Sequence, residues 1–183
     1  MIGKKNVVFG FLYLVFTAAL GPYMVFNMLP DVGSAQVEKQ AKVGRLQQLK
    51  SSNFEEDLEP LSDGKIARAN TDGILALNKL FNAQQPVDLM KAGPHAHGNL
   101  EAVLNILAGL TLCFIAVGRR FKQAISWVFI AGALLHSGLL YLSAFGVEWF
   151  NFLRPIGPVL VLLGLLMIGV AALIGFNSRP VAD

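Results

Sequence analysis

Apolar residues in this chain are gathered into four long runs rather than spread evenly. The runs cover residues 6–29, 98–117, 124–146 and 152–176. Each is close to the roughly 20 residues that an α-helix needs to cross a hydrocarbon core of about 30 Å. Lipid offers the backbone no hydrogen-bond partner, so each run must satisfy its own N–H and C=O groups as a helix. The pattern predicts an all-α polytopic membrane protein, an antiparallel bundle of four transmembrane helices.

The chain divides by composition into three parts. Residues 1–29 form a first transmembrane helix, 30–96 are mixed in charge, and 97–183 contain three further helices at about 97–117, 124–146 and 152–176. Within the middle part, 35–50 and 71–83 show weak helical periodicity on either side of an acidic, turn-rich stretch. Because this part has too few apolar residues for a core of its own, we expect a loop cap with short helices.

Basic residues mark one end of the predicted helices. They precede the first helix, fill the turn between the second and third, and follow the fourth: Lys4, Lys5, Arg119, Arg120, Lys122 and Arg179. Since cytoplasmic loops are enriched in Lys and Arg, both termini are expected in the cytoplasm and the 30–96 loop outside. The net charge of +3 then reflects topology and does not indicate a nucleic-acid partner. One cysteine, Cys113, and no glycosylation or eukaryotic targeting motif favour a bacterial inner membrane.

Polar residues interrupt the second apolar run at helical spacing. In GPHAHGNLEAVLN, residues 93–105, the side chains of His97, Glu101 and Asn105 are each four residues apart. They therefore share one helix face and extend about 12 Å inward from the outer surface. An ionisable residue in a membrane helix faces a partner or a cavity by default. We expect this stripe to face the bundle interior, where a bound molecule would compensate its polar groups.

The other helices carry polar residues at similar depths when the helical rise is counted from their predicted outer ends. Tyr141 falls roughly 6 Å below the outer surface and His136 roughly 13 Å, the latter level with Asn105. Arg154 stands at the mouth of the fourth helix, level with His97. The inner half of the bundle consists almost entirely of hydrocarbon side chains. The sequence therefore predicts a pocket open to the outside or to the outer leaflet, and argues against a transport path.

Such a pocket suits haem b. Imidazole is a natural ligand for haem iron, and helix bundles commonly hold the cofactor. His97 is the expected axial ligand, with His95 or His136 as the alternative, and Arg154 is placed to pair with a propionate. The counted depth sets His136 too far below His97 for an unstrained pair on one iron. A five-coordinate haem with one open side is therefore favoured.

The segment AGPHAHGNLEAVLNILAGL resembles the histidine-rich start of a membrane helix in subunit-I-like proteins of the haem-copper oxidase group. The architecture also resembles the styrene oxide isomerase family, small four-helix membrane enzymes with a histidine and an asparagine on helix two and a tyrosine on helix three. That resemblance implies a ferric haem b that acts as a Lewis acid on an epoxide oxygen. It makes His97 the axial ligand, Asn105 an amide that orients the substrate and Tyr141 a distal hydroxyl. The histidine-to-asparagine spacing is longer here, and the surroundings of His136 replace an acidic residue of that family's third helix.

The residues that this hypothesis assigns to catalysis are Asn105, Tyr141, His136 and Glu101. A structural alternative is that Glu101 pairs with His136 or Arg154 only to hold helices together. Tyr13 is expected at a packing or interface position. There is no Ser-His-acid spacing, glycine-rich phosphate loop or zinc-type Cys/His cluster, which argues against hydrolytic chemistry.

Three other interpretations stay open. Bis-histidine haem would make the protein a cytochrome b-like carrier of single electrons. Met90, His95 and His97 could hold copper, because thioether and imidazole groups suit that ion. Thirdly, a non-catalytic accessory subunit of a respiratory or other membrane complex would use the polar stripe to meet a partner helix. Association with further copies or with a larger complex in the bilayer is expected throughout.

Overall fold

The structure is a computed structural model that describes residues 1–181 and is 81% helical. Three of its helical segments are long and apolar enough to cross a membrane: Gly3–Asn27, Arg119–Ala144 and Asn151–Gly175. The chain forms two compact units, one comprising Met1–Pro22 with Leu89–Asp183 and the other Tyr23–Asp88. The structure confirms a mainly helical fold, and three of the four predicted runs form helices with the length and composition needed to span a membrane.

The elements follow one another with short connections. The first half of the chain contains α1 (Gly3–Asn27), α2 (Leu29–Ser51), β1 (Glu55–Glu56), β2 (Glu59–Pro60), α3 (Asp63–Met90), a first π-helical turn (Lys91–His95) and α4 (Ala96–Leu112). The second half contains α5 (Arg119–Ala133), a second π-helical turn (Leu134–Gly138), α6 (Leu139–Ala144), a 3-10 turn (Asn151–Leu153) and α7 (Ile156–Gly175).

The predicted second membrane helix, 97–117, differs from the helix observed. Helical backbone runs without interruption from α3 through the first π-helical turn into α4, so His97 does not stand at a helix start. At the other end α4 stops at Leu112, and the backbone N–H of Ala116 donates to the Gly175 carbonyl over 2.6 Å. This hydrogen bond pairs the Ala116 N–H and the Gly175 C=O, two backbone groups beyond the end of α4 and at the end of α7 that would otherwise lack a partner.

Close helix packing in the first unit depends on small residues. The core is formed by side chains of α4, α5, α7 and the segment after α4, with Leu112, Ile115, Ile125, Phe129 and Ala171 almost fully buried. A Cβ atom built on Gly10 of α1 would lie 2.6 Å from the Ala102 carbonyl oxygen of α4. Such an approach between backbones is possible only without a side chain, as is common where membrane helices meet.

The Tyr23–Asp88 unit is a helical hairpin, which corrects the expectation of short helices in a loop cap. Helices α2 and α3 have 23 and 28 residues, and they run antiparallel. Glu38 pairs with Lys79 over 2.6 Å, and Lys42 with Asp72 over 3.0 Å. The acidic stretch between the helices, expected to be irregular, forms the two-stranded β1–β2 hairpin. The two helices lack a broad apolar face. Salt bridges between them and a narrow line of buried residues, Ala35, Leu49 and Ala76, stabilise the hairpin instead.

Candidate functional site

Two π-helical turns place the histidines of the first unit. His95 ends the first turn and His136 is the middle residue of the second. A π-helical turn inserts an extra residue into a helix and is found frequently at functional sites. Helix α7 fits directly against the second turn, because a Cβ atom built on Gly157 would lie 2.6 Å from the Cα atom of His136.

A buried carboxylate lies at the centre of the site. Glu101 is 3% exposed, and its Oε1 atom lies 2.5 Å from Nδ1 of His136. Its Oε2 atom accepts a hydrogen bond from the hydroxyl of Ser137 and a longer one, 3.4 Å, from the Ser137 backbone N–H. The Ser137 hydroxyl lies 2.8 Å from the phenol oxygen of Tyr13. We call Tyr13, Glu101, His136 and Ser137 the Glu101 cluster. The imidazole of His136 and the hydroxyl and backbone N–H of Ser137 converge on the one carboxylate, as a buried acid requires, and Tyr13 joins through Ser137.

His97 lies beside this cluster and at the surface. Its ring centroid is 4.7 Å from that of His136, with an angle of 53° between the ring planes. The His97 side chain is exposed and makes no hydrogen bond within residues 1–181. The predicted depth difference of roughly 13 Å between the two histidines is therefore wrong. The depth of His97 was counted from a predicted helix start at residue 97, but no helix begins there. The packing of α4 against the second π-helical turn sets the depth of His97 relative to His136 instead.

Asn105 is buried but serves helix packing. Its Nδ2 atom donates to the carbonyls of Glu101, over 3.0 Å, and Phe129, over 3.3 Å. Its Oδ1 atom accepts from Nδ2 of Asn6 over 3.0 Å, and Asn6 in turn accepts a hydrogen bond from the Ser126 hydroxyl. Both amide hydrogens of Asn105 are thus engaged. The half of the bundle that was expected to contain almost only hydrocarbon side chains therefore has a polar cluster that joins α1, α4 and α5.

The remaining predicted residues lie around the Glu101 cluster without joining it. Nδ1 of His95 lies 3.0 Å from the Thr17 carbonyl of α1. His95 therefore contacts α1, whereas His97 contacts the second π-helical turn. Tyr141 packs against Phe145, with ring centroids 5.2 Å apart, so the phenol of the site comes from α1 instead.

Arg154 is exposed just before α7. The Gly157 N–H donates to the Arg154 carbonyl over 3.2 Å, so Arg154 lies one turn from the point where Gly157 meets His136. Arg154 is not the ionic partner of Glu101 in the described part of the chain, where Glu101 pairs with His136.

Sequence reasoning missed the contribution of α1. Asn6, Tyr13 and Thr17 are seven and four residues apart, which places them on one helix face, with Gly10 between them. This stripe parallels the one recognised on α4, and reading the two together would have identified Tyr13. Ser126 and Ser137 are likewise eleven residues apart, three helical turns, on the third predicted helix.

No buried polar atom in the described part of the chain requires a guest. Every buried side-chain nitrogen and oxygen of residues 1–181 has a hydrogen-bond partner. In the same residues, no group of three or more His, Cys, Asp and Glu side chains converges as a set of metal ligands. The argument that a bound molecule must compensate the stripe therefore no longer holds. What the site does offer is an oriented imidazole, His136, next to an exposed one, His97.

No protein-family model matches this chain, and no curated protein or solved structure shows significant similarity to it. Its function must therefore be argued from the site itself.

Proposed function

We propose that the chain is a bacterial inner-membrane protein with four spans, both termini in the cytoplasm and the Tyr23–Asp88 unit outside. Three segments have the length and composition of membrane helices. Helix α4 has 17 residues, about 26 Å of helix, and the preceding π-helical turn extends it to a membrane thickness. On α7, Leu162, Leu166 and Leu173 are 67%, 65% and 90% exposed, an arrangement suited to lipid.

We further propose that the histidine pair binds haem b, with the iron on His136. The observation that carries this proposal is the contact between Nδ1 of His136 and the buried Glu101 carboxylate. A histidine that ligates a metal almost always donates its other ring N–H to such a partner, which fixes the ring and raises the basicity of the free nitrogen. Nε2 of His136 makes no hydrogen bond within residues 1–181. This reverses the order expected from the sequence, which placed His97 first.

The surroundings fit the group. His97 lies against His136 on the exposed side, and Arg154 precedes Gly157 by one helical turn, which makes it the candidate partner for a propionate. Glu101, by holding a proton of His136, favours the ferric state of a bound iron. Ferric haem would supply a Lewis acid for the isomerisation of a small hydrophobic epoxide. In that reaction His97, exposed and without a hydrogen bond in the described chain, is the group available to contact a substrate.

The alternative of a bis-histidine cytochrome fits less well. Axial imidazoles on opposite faces of an iron, each about 2.0 Å from it, have their ring centres roughly 6 Å apart with the macrocycle between them. The two rings here are 4.7 Å apart and in contact. We therefore expect a five-coordinate, high-spin ferric haem.

The test is to express the full chain with haem supply, purify it in detergent and record its absorption spectrum. We expect a Soret band with high-spin features, its loss in His136→Ala, its shift but retention in His97→Ala, and no change in His95→Ala. Turnover of an aryl epoxide to an aldehyde by wild type and not by His136→Ala would establish the reaction. A well-folded, colourless protein after haem reconstitution would refute haem binding.

A second candidate, a copper ion held without haem, is favoured by the ring separation. Two imidazoles in adjacent positions of one ion, each with a metal–nitrogen distance of about 2.0–2.1 Å, have ring centres about 4.5–5 Å apart. The observed 4.7 Å lies in that range. In this case the colourless protein would bind one copper ion per chain, and both His97→Ala and His136→Ala would lose it. A colourless protein that binds no metal would leave the role of an accessory subunit.

A further inference from the structure

The Tyr23–Asp88 unit contains a cleft of about 370 Å³ that belongs to none of the sites described above. Helix α2, the β hairpin and helix α3 contribute its walls. The lining side chains are Lys42, Arg45, Leu49, Glu56, Leu61, Lys65, Arg68, Ala69 and Asp72. Leu49, which is 5% exposed, provides an apolar floor, and the charged groups stand around it.

Positive charge is concentrated at this cleft. The unit has seven basic and nine acidic residues, so it is negative as a whole. Four of the seven basic residues nevertheless line the one cleft, against two acidic ones. The local potential therefore attracts anions from a surface that otherwise repels them.

Two of the four cations are already neutralised and two are not. Lys42 pairs with Asp72, and Arg45 pairs with Glu56, each over 3.0 Å. Lys65 and Arg68 have no counter-ion within residues 1–181. They are three residues apart on α3, so they lie on one face of the helix and both border the cleft. An anion in the cleft would meet two unneutralised charges.

The hairpin that closes the cleft adopts a costly backbone conformation. Asp57 and Leu58 have φ angles of 57° and 66°, in the left-handed region that glycine or asparagine normally occupies in such turns. Leucine is strained in this region because its Cβ atom crowds the backbone. The turn follows Glu56 directly, and Glu56 holds the hairpin to Arg45 on α2. The strained turn thus fixes one wall of the cleft.

We propose that this cleft binds a small phosphate-bearing anion, with Arg68 and Lys65 as its principal ligands. The planar guanidinium of Arg68 offers paired N–H groups that match phosphate oxygens, and Lys65 adds a point charge one turn away. The cleft volume of about 370 Å³ accommodates a group the size of a pyrophosphate. Such a group reaches the cleft either on a free metabolite or on a phospholipid headgroup.

The experiment uses the full chain in neutral detergent, titrated with inorganic pyrophosphate in a calorimeter. In parallel, the chain is mixed with vesicles of phosphatidylcholine with or without phosphatidate. We expect Arg68→Gln to weaken binding about tenfold, and Lys65→Gln/Arg68→Gln to abolish it. The matched control is Lys50→Gln, which removes an equal charge from α2 outside the cleft and should change the affinity less than twofold.

Either arm can support the proposal. Binding of pyrophosphate that depends on Arg68 identifies a free anion as the ligand. Recruitment only to phosphatidate vesicles, again dependent on Arg68, identifies a headgroup. The proposal is overturned if neither probe binds, or if Lys50→Gln weakens binding as much as Arg68→Gln does. The altered side chains are exposed, so the variants should keep the wild-type fold.

Discussion

At the scale of single residues, the site is organised by one acid. Glu101 links α4 to the second π-helical turn and, through Ser137, to Tyr13 of α1. The structural alternative raised from the sequence, a Glu101–His136 pair that joins helices, is thus observed as a contact. The same contact also orients an imidazole, so a structural role and a metal-binding role do not exclude one another.

Removing the Glu101 carboxylate should destabilise the protein strongly. In Glu101→Ala, buried donors of His136 and Ser137 lose their acceptor, which costs about 1–3 kcal/mol for each unsatisfied group. Glu101→Gln keeps one acceptor oxygen and should therefore lose less stability than Glu101→Ala. The control, Glu148→Ala, removes an exposed carboxylate and should stay within about 0.5 kcal/mol of wild type. Thermal unfolding in detergent measures the stability of all three variants. Equal unfolding midpoints for Glu101→Ala and Glu148→Ala would contradict the role of Glu101 as a buried hydrogen-bond acceptor.

The two tyrosines near the site should respond differently to loss of the hydroxyl. Tyr13→Phe removes the partner of Ser137 and should cost about 0.5–1.5 kcal/mol. Tyr141→Phe removes a hydroxyl that makes no hydrogen bond within residues 1–181, so its unfolding midpoint should barely move. The two substitutions delete the same atom, which makes each a control for the other. A larger effect at Tyr141 would show that the site phenol had been assigned to the wrong helix.

At the scale of elements, the histidine pair exists because helices approach one another unusually closely. Both π-helical turns contribute, and α7 closes against the second turn at Gly157. Without a side chain at that position the backbone of α7 supports the backbone of His136 directly. The orientation of a single imidazole therefore depends on a glycine in a different helix.

Adding one methyl group at this contact should therefore disturb the site. In Gly157→Ala the new Cβ atom would lie 2.6 Å from the Cα atom of His136, so α7 or the turn must move, at a cost of about 1–3 kcal/mol. Gly169→Ala, on the same helix, places its Cβ atom with no heavy atom within 4 Å and should be neutral or slightly stabilising. Unfolding midpoints and, where haem binds, the Soret position report the difference. Identical behaviour of the two variants would disprove the close contact.

At the scale of the whole molecule, the chain combines a unit of apolar helices with a charged helical hairpin. Helix α7 exposes large apolar side chains over most of its length, whereas the hairpin forms salt bridges. The composition of the apolar unit suits a lipid environment, whereas that of the charged hairpin suits water. The proposed topology follows from this contrast and from the distribution of basic residues.

The topology can be tested by cysteine labelling in intact bacterial cells. In a Cys113→Ser background, Leu58→Cys places a thiol at a position that is 93% exposed, at the tip of the hairpin. We expect a membrane-impermeant maleimide to label it in intact cells. Arg120→Cys, exposed in the first turn of α5, should be labelled only after lysis. The reverse pattern would invert the orientation, and labelling of both sites before lysis would rule out the four-span arrangement.

Much of the architecture was already fixed by the amino-acid sequence. The long apolar runs determined the helical class and the three confirmed membrane-length helices, because lipid and backbone hydrogen bonding leave a run of this length no other conformation. The four-residue spacing of His97, Glu101 and Asn105 predicted an interior-facing stripe, and Glu101 and Asn105 are indeed buried. Such local periodicity depends only on the geometry of a single helix.

The tertiary structure alone decided which helices meet and at what level. No local pattern indicated that α4 continues an upstream helix or that π-helical turns bring His97 against His136. Relative heights of packed helices are set by glycine contacts and by hydrogen bonds between residues up to 124 positions apart, as between Tyr13 and Ser137. A count of residues along one helix contains no information about these long-range contacts, and for that reason the depths counted from the sequence failed.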